Sequence, residues 1–264
     1  MERLLMLRLE AQGCTAEAWL NGIPLARVGA DGAARTVPVH EFTLAGGNAL
    51  ELVVEPAPPG VPELPAPRIA SHKAWAGLRL LLPRAGQRVH PSHARTLAQI
   101  DWAVPEHEIY EAPVHLKEEV ELPITFPRWR WLDAPVIDDP AAAKTQVLRM
   151  LQQVALGLAR GDPEPLLTAA RLRVEEQALA YQNKPADEVG RWRVFVKDLA
   201  AAGPVRPDLA VLTQLRLRPV AGGRLLECLA EDGGPVLRGS SAGEATWFFP
   251  LRVALIEGRA HVLR

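Results

Sequence analysis

Glu17-Ala18-Trp19-Leu20-Asn21-Gly22-Ile23-Pro24-Leu25 sets an Asn-Gly pair between two apolar runs. Both residues tolerate the positive φ of a type I′ turn, so the stretch predicts a two-residue β-hairpin. The chain keeps a period of two on either side of it. Leu5, Leu7 and Leu9 alternate with Met6, Arg8 and Glu10. A further strand is expected from about Thr36 to Leu44, after which Gly46-Gly47-Asn48 turns into Leu50, Leu52 and Val54. Six prolines between Pro56 and Pro67 cannot join a ladder and predict an extended connection. Strand patterns resume over Trp75–Pro83, Leu97–Val104 and Val114–Ile124. Strands without a helical stretch predict an all-β sandwich, jelly-roll-like, over residues 1–126.

The pattern then changes. The proline-flanked segment 127–140 is expected to be a linker, and residues 141–264 a second domain. From Lys144, residues Val147, Leu148, Leu151, Val154 and Leu158 recur at helical spacing. Gly161 stops that helix, and Asp162-Pro163 offers a cap and a preset first residue for the next. The second helix should carry Leu166 to Tyr181 and the third Ala186 to Ala202. Past Pro207 the period returns to two, with strands expected over Val211–Val220, Arg224–Ala230, Pro235–Arg238, Thr246–Ile256 and Arg259–Leu263. Three helices followed by an antiparallel sheet make this half α+β. The expected architecture is therefore two-domain: a sandwich, then an α+β domain.

Composition narrows the function classes. The 264 residues carry 30 Lys+Arg and 31 Asp+Glu, a formal charge of −1, which does not call for nucleic acid. The charge is unevenly spread, with residues 1–140 acidic and residues 141–264 basic. Two cysteines, Cys14 and Cys228, read as free buried thiols. The first ten residues are too interrupted by charge for an export signal, and no apolar run has bilayer length. A soluble, cytoplasmic protein is expected.

Two stretches resemble known folds. Residues 17–25, with Gly47-Asn48-Ala49-Leu50-Glu51-Leu52-Val53-Val54, resemble the sugar-binding-type jelly roll found beside glycosidase domains, where a W-x-N-G hairpin and a G-x-N-x-L strand recur. The resemblance implies the fold and supplies no ligand residue. The second half, with its Arg160-Gly161-Asp162 turn, resembles the nuclear-transport-factor-like cone. Enzymes of that family use Asp/His or Tyr/Asp pairs in a pocket. Here Asp162 caps a helix and His261 is the sole histidine of this half, which argues against catalysis.

Candidate chemistry is sparse. His90-Pro91-Ser92-His93, with His72, has metal-like spacing but reads as a surface loop, so no metal or other cofactor is expected. Ser240-Ser241-Ala242-Gly243 lacks the surroundings of a nucleophile and reads as a turn. Asp101 to Glu121 contains seven carboxylates and one lysine, Lys117. Glu106, Glu108, Glu111, Glu118, Glu119 and Glu121 read either as a solvated strand edge or as a docking surface for a basic protein. Arg128, Trp129, Arg130 and Trp131 interleave cations with aromatics, as inter-domain packing or as interface anchors. No catalytic residue is assigned. The general character resembles that of bacterial immunity proteins, which neutralise toxins delivered by type VI secretion. That resemblance implies a non-catalytic inhibitor whose partner is a toxin or effector, a nuclease among the options. The alternatives are a lyase- or isomerase-type enzyme using the cone's pocket, and a carbohydrate-binding sandwich.

Overall fold

A computed structural model describes residues 4–55, 67–70, 72–84, 89–201, 203–240 and 246–264. Most of the proline run and Ser241 to Gly243 lie outside these residues. The fold is α+β with antiparallel sheets, and the chain forms two compact units that meet in sequence at Arg128/Trp129.

The first unit is built from β1 (Met6–Gln12), β2 (Ala16–Leu20), β3 (Ile23–Val28), β4 (Ala34–Pro38), β5 (Gly46–Val54), β6 (Arg68–Ile69), β7 (Ala74–Pro83), β8 (Ala94–Val104), β9 (Ile109–Tyr110) and β10 (Val114–Leu122). Two four-stranded sheets, β4-β1-β7-β8 and β10-β5-β2-β3, make a sandwich, and β6 pairs with β9 as a short ribbon. Alternation decides which side chains enter the core: Leu5, Leu7, Leu9, Leu50, Leu52, Leu78 and Leu80 are all fully buried. Asn21 and Gly22 have φ of 53° and 73°, and Leu20 faces Ile23 across them, as the sequence predicts.

Asn21 also has a second task. Its Nδ2 donates to Phe42 O and to Asn48 Oδ1, while its Oδ1 accepts from Ala49 N. Asn48 is buried and closes its own turn on Leu44 and Gly46. The two asparagines thus form one amide clamp joining the hairpin to β5, so the matched motif is structural. The strand expected to reach Leu44 stops at Pro38, and His40–Phe42 form a 3-10 turn. There the buried His40 turns inward, and its Nε2 accepts the Leu5 N–H at 2.7 Å.

The second unit holds α1 (Pro140–Ala159), α2 (Glu164–Ala169), α3 (Arg171–Ala180), α4 (Pro185–Ala201) and α5 (Leu209–Thr213). Its strands are β11 (Arg206–Pro207), β12 (Arg216–Val220), β13 (Leu225–Leu229), β14 (Leu237–Ser240), β15 (Thr246–Phe249), β16 (Arg252–Ile256) and β17 (Arg259–Val262), in the orders β11-β14-β15 and β12-β13-β16-β17. Val147, Leu151, Val154 and Leu158 of α1 pack with Val196 of α4 and Val253 of β16 in one core. Asp139 caps α1 by accepting from Ala141 N and Ala142 N, with Pro140 at the first turn.

Four expectations change here. The strand expected over Thr246–Ile256 is two, β15 and β16, which belong to different sheets. The second helix is two, broken at Ala170 (φ −100°, ψ 10°). Residues 209–213 are helical rather than extended, because Asp208 accepts the Val211 N–H at 3.0 Å and starts a turn. The expected linker is anchored from Trp129 onward. Arg224 Nη1 donates to Ala134 O, and Ile137 N to Gly223 O.

Burial of that segment creates a charged knot. Arg264 is wholly buried, and its Nη1 donates to Glu176 Oε2 at 2.5 Å. Its guanidinium lies 5.5 Å from the centroid of the Trp129 ring. The other Glu176 oxygen accepts the Arg130 N–H at 2.6 Å. One carboxylate therefore fixes the incoming segment, α3 and residue 264 together.

Candidate protein-interaction surface

Strand β10 is the outer strand of its sheet, so its carboxylates stand at an edge. Alternation divides them. Glu119 and Glu121 share a face with Lys117, which pairs with Glu119 at 3.0 Å, and Glu118 takes the opposite face. Glu106, Glu108 and Glu111 lie elsewhere, on the segments flanking β9, and all three are exposed. The acidic stretch is therefore two groups rather than one strip.

The group at Glu106, Glu108 and Glu111 brackets, in sequence, a feature that the sequence did not reveal. In the β6–β9 ribbon Arg68 is paired with Tyr110, and Ile69 with Ile109. Successive side chains of a strand point to opposite faces, so the two pairs part company. Arg68 Nη1 and the Tyr110 hydroxyl both donate to the Glu55 carboxylate at the end of β5. The Tyr110 phenol is held above its usual pKa, first by burial and then by that carboxylate. Its ring also meets Trp102 edge-on at 5.4 Å. The opposite face is left to the isoleucines, which are 67% and 65% exposed. Paired exposed isoleucines are unusual on a surface with nothing to cover them. Glu106, Glu108 and Glu111, all exposed, flank Ile109 in the sequence.

Arg128, Trp129, Arg130 and Trp131 do not form such a surface. Trp129 and Trp131 are 0% and 3% exposed, so the reading of both as exposed anchors is corrected. Their rings were desolvated when the segment docked into the second unit. Arg128 and Arg130 remain exposed, and Arg130 Nη2 pairs with Glu175 at 2.8 Å.

Among the described residues no three His, Cys, Asp or Glu side chains come together as a metal site. His90 Nδ1 lies 2.7 Å from Ser92 Oγ, and the His90 and His93 rings are 6.2 Å apart. Both thiols are buried and free. Burial raises each, Cys14 to about 11 and Cys228 further, so neither is poised as a nucleophile. No helix of the described residues is long and apolar enough to cross a membrane.

Comparison with known proteins adds little. No protein family matches the chain, and no curated protein does. Among solved structures, a "putative beta-galactosidase" from Bacteroides fragilis aligns with 46% of this chain at 12% identity and a TM-score of 0.18. The alignment spans 25% of that protein's length. Likeness at that level carries no argument about fold or function.

Proposed function

We propose that this chain is a non-catalytic protein-binding protein, an inhibitor of the immunity type that acts in the cytoplasm and neutralises a secreted toxin by covering a basic surface. In this reading the sandwich is a jelly-roll-like frame and the second unit a cone-like body. The observation that carries the proposal is the exposed Ile69–Ile109 pair, with the exposed Glu106, Glu108 and Glu111 close by in the sequence. Interfaces concentrate affinity in an apolar centre, while rim charges steer the partner and fix its register. A nuclease groove offers the complementary charge. Glu118, Glu119 and Glu121 on the β10 edge extend the same field and also block strand addition there.

The test is capture from a native bacterial lysate at low and high salt, with mass spectrometry of what co-elutes. It is repeated with Ile69→Ser/Ile109→Ser and with Glu106→Lys/Glu108→Lys/Glu111→Lys. One stoichiometric partner is expected, released by salt, lost with the isoleucines and weakened by charge reversal. A partner that binds both variants as well as the parent protein would remove this surface from the mechanism.

A further inference from the structure

A groove of about 680 Å³ opens on the second unit between α1, α2 and the edge strand β17. Arg149 lines it from α1, Arg160 from the C-cap of that helix, and Arg259 from β17. Met150, Leu156 and Pro165 supply apolar wall. Elsewhere in this unit arginines are matched to carboxylates: Arg171 to Glu175, Arg193 to Glu164 and Arg238 to Asp232. Among the described residues Arg149, Arg160 and Arg259 have no such partner. Two carboxylates also line the groove. Glu164 is held by Arg193, and Asp162 Oδ1 accepts the Glu164 N–H at 3.0 Å. Net positive charge therefore concentrates toward Arg149 and Arg259, where Gln146 Nε2 donates to Gly258 O and ties the helix to the strand turn.

We propose that this groove docks an acidic segment of a partner protein. Size and openness favour a polypeptide over a small anion. All three arginines are solvent-exposed, whereas small-ligand sites enclose most of their ligand. Arg160, the C-cap of α1, lies eleven residues beyond Arg149. That is about 16 Å along the helix axis at 1.5 Å per residue. No single carboxylate or phosphate spans such a distance. An extended chain does so in about five residues at roughly 3.3 Å each. Leu156, 51% exposed, lies between the two cations and offers an apolar contact for the middle of the segment. The occupant thus has acidic residues at both ends and apolar ones between.

This inference rests on the second unit alone and is independent of the isoleucine surface. The probe is a capped peptide, Glu-Glu-Leu-Ala-Leu-Glu-Glu, labelled for fluorescence anisotropy, with a Gln-for-Glu peptide as control. The parent protein should bind the acidic peptide at low ionic strength and the control at least tenfold more weakly. Arg149→Gln/Arg259→Gln should weaken binding about tenfold, and Arg160→Gln by severalfold. Arg35→Gln/Arg95→Gln, at exposed positions of the sandwich, and Ile69→Ser/Ile109→Ser should bind as the parent does. Circular dichroism confirms that each variant is folded. Failure to bind, or equal binding by the groove variants, overturns the proposal. Salt-sensitive self-association that competes with the peptide and vanishes in the same variants would also overturn it, by making a second copy of this chain the occupant.

Discussion

Replacing Glu176 by methionine tests the reading of the second unit most directly. The side chains of Glu176 and Arg264 are 4% and 0% exposed, so the pair holds its charges away from water. Methionine is close to glutamate in length and leaves the guanidinium without its carboxylate, still over Trp129. It also strands the Arg130 N–H, which donates to the same group. Removing one partner of a buried pair costs about 3–5 kcal/mol, because the remaining charge loses its counter-charge. For a protein of this size that is a fall of roughly 10 °C in Tm. Arg264→Met should cost less, because the remaining carboxylate keeps its bond from Arg130 N. The double variant, with both charges of this pair removed, should be more stable than the sum of the two losses predicts. Urea denaturation of the four proteins, followed by tryptophan fluorescence, gives the coupling energy. A Glu176→Met loss under about 1 kcal/mol, or additive losses, would refute the view that this carboxylate ties the three segments together.

Other outcomes follow from particular contacts. Asn48→Ala removes bonds to Leu44, Gly46 and Asn21 at a buried site, and a loss of about 3 kcal/mol is expected by urea denaturation; a loss below 1 kcal/mol would deny the clamp. Gly157→Ala should lower Tm even though alanine favours a helix by about 1 kcal/mol, and a rise would contradict the packing. The new Cβ would lie 2.8 Å from Pro165 Cγ and 2.9 Å from Asp162 O. His261 is held below the usual histidine pKa, first by burial and then by Arg171 and Arg259, with Glu257 opposing. The unfolded chain therefore binds its proton more readily, and stability should rise as pH climbs from the folded value to the unfolded one. Below the folded value both states are protonated and the penalty is complete. An NMR titration should place His261 low and Arg259→Gln should move it up; a midpoint unchanged by that substitution would remove Arg259 as a cause.

Sequence and structure agree where one physical rule acts alone. The Asn21-Gly22 hairpin needs only two residues at positive φ, and the sandwich core needs only alternation, so both were legible. Helix α1 was legible from its apolar spacing, although its start at Pro140 depends on the Asp139 cap. The break at Ala170 was not, because no glycine or proline marks it. The helix at 209–213 was hidden by an apolar run that suits either period until Asp208 is seen to cap it. Trp129 and Trp131 were left between packing and interface anchors, because composition does not say which element an aromatic packs against. Of the candidate surface, the acidic residues were visible as a run, but their division depends on the loop before β9 and the edge position of β10. Ile69 and Ile109 escaped notice because two-residue strands carry no period, and forty residues separate their partners in sequence.

Glu55 gives the ribbon a property its length would deny it. Two strands of two residues each have little cohesion of their own, and alone they would sample many arrangements. By accepting from Arg68 on one strand and Tyr110 on the other, a single carboxylate holds both against the sheet while touching neither isoleucine. A partner of the proposed kind docking on Ile69 and Ile109 would meet a shape that is already set, with the entropy of ordering it lost during folding rather than at encounter. Glu55→Gln would leave every exposed contact atom in place yet slow association, since fewer collisions would find the ribbon in its docking form. In the proposed function, the affinity of this face is thereby governed from behind it, by a largely buried carboxylate.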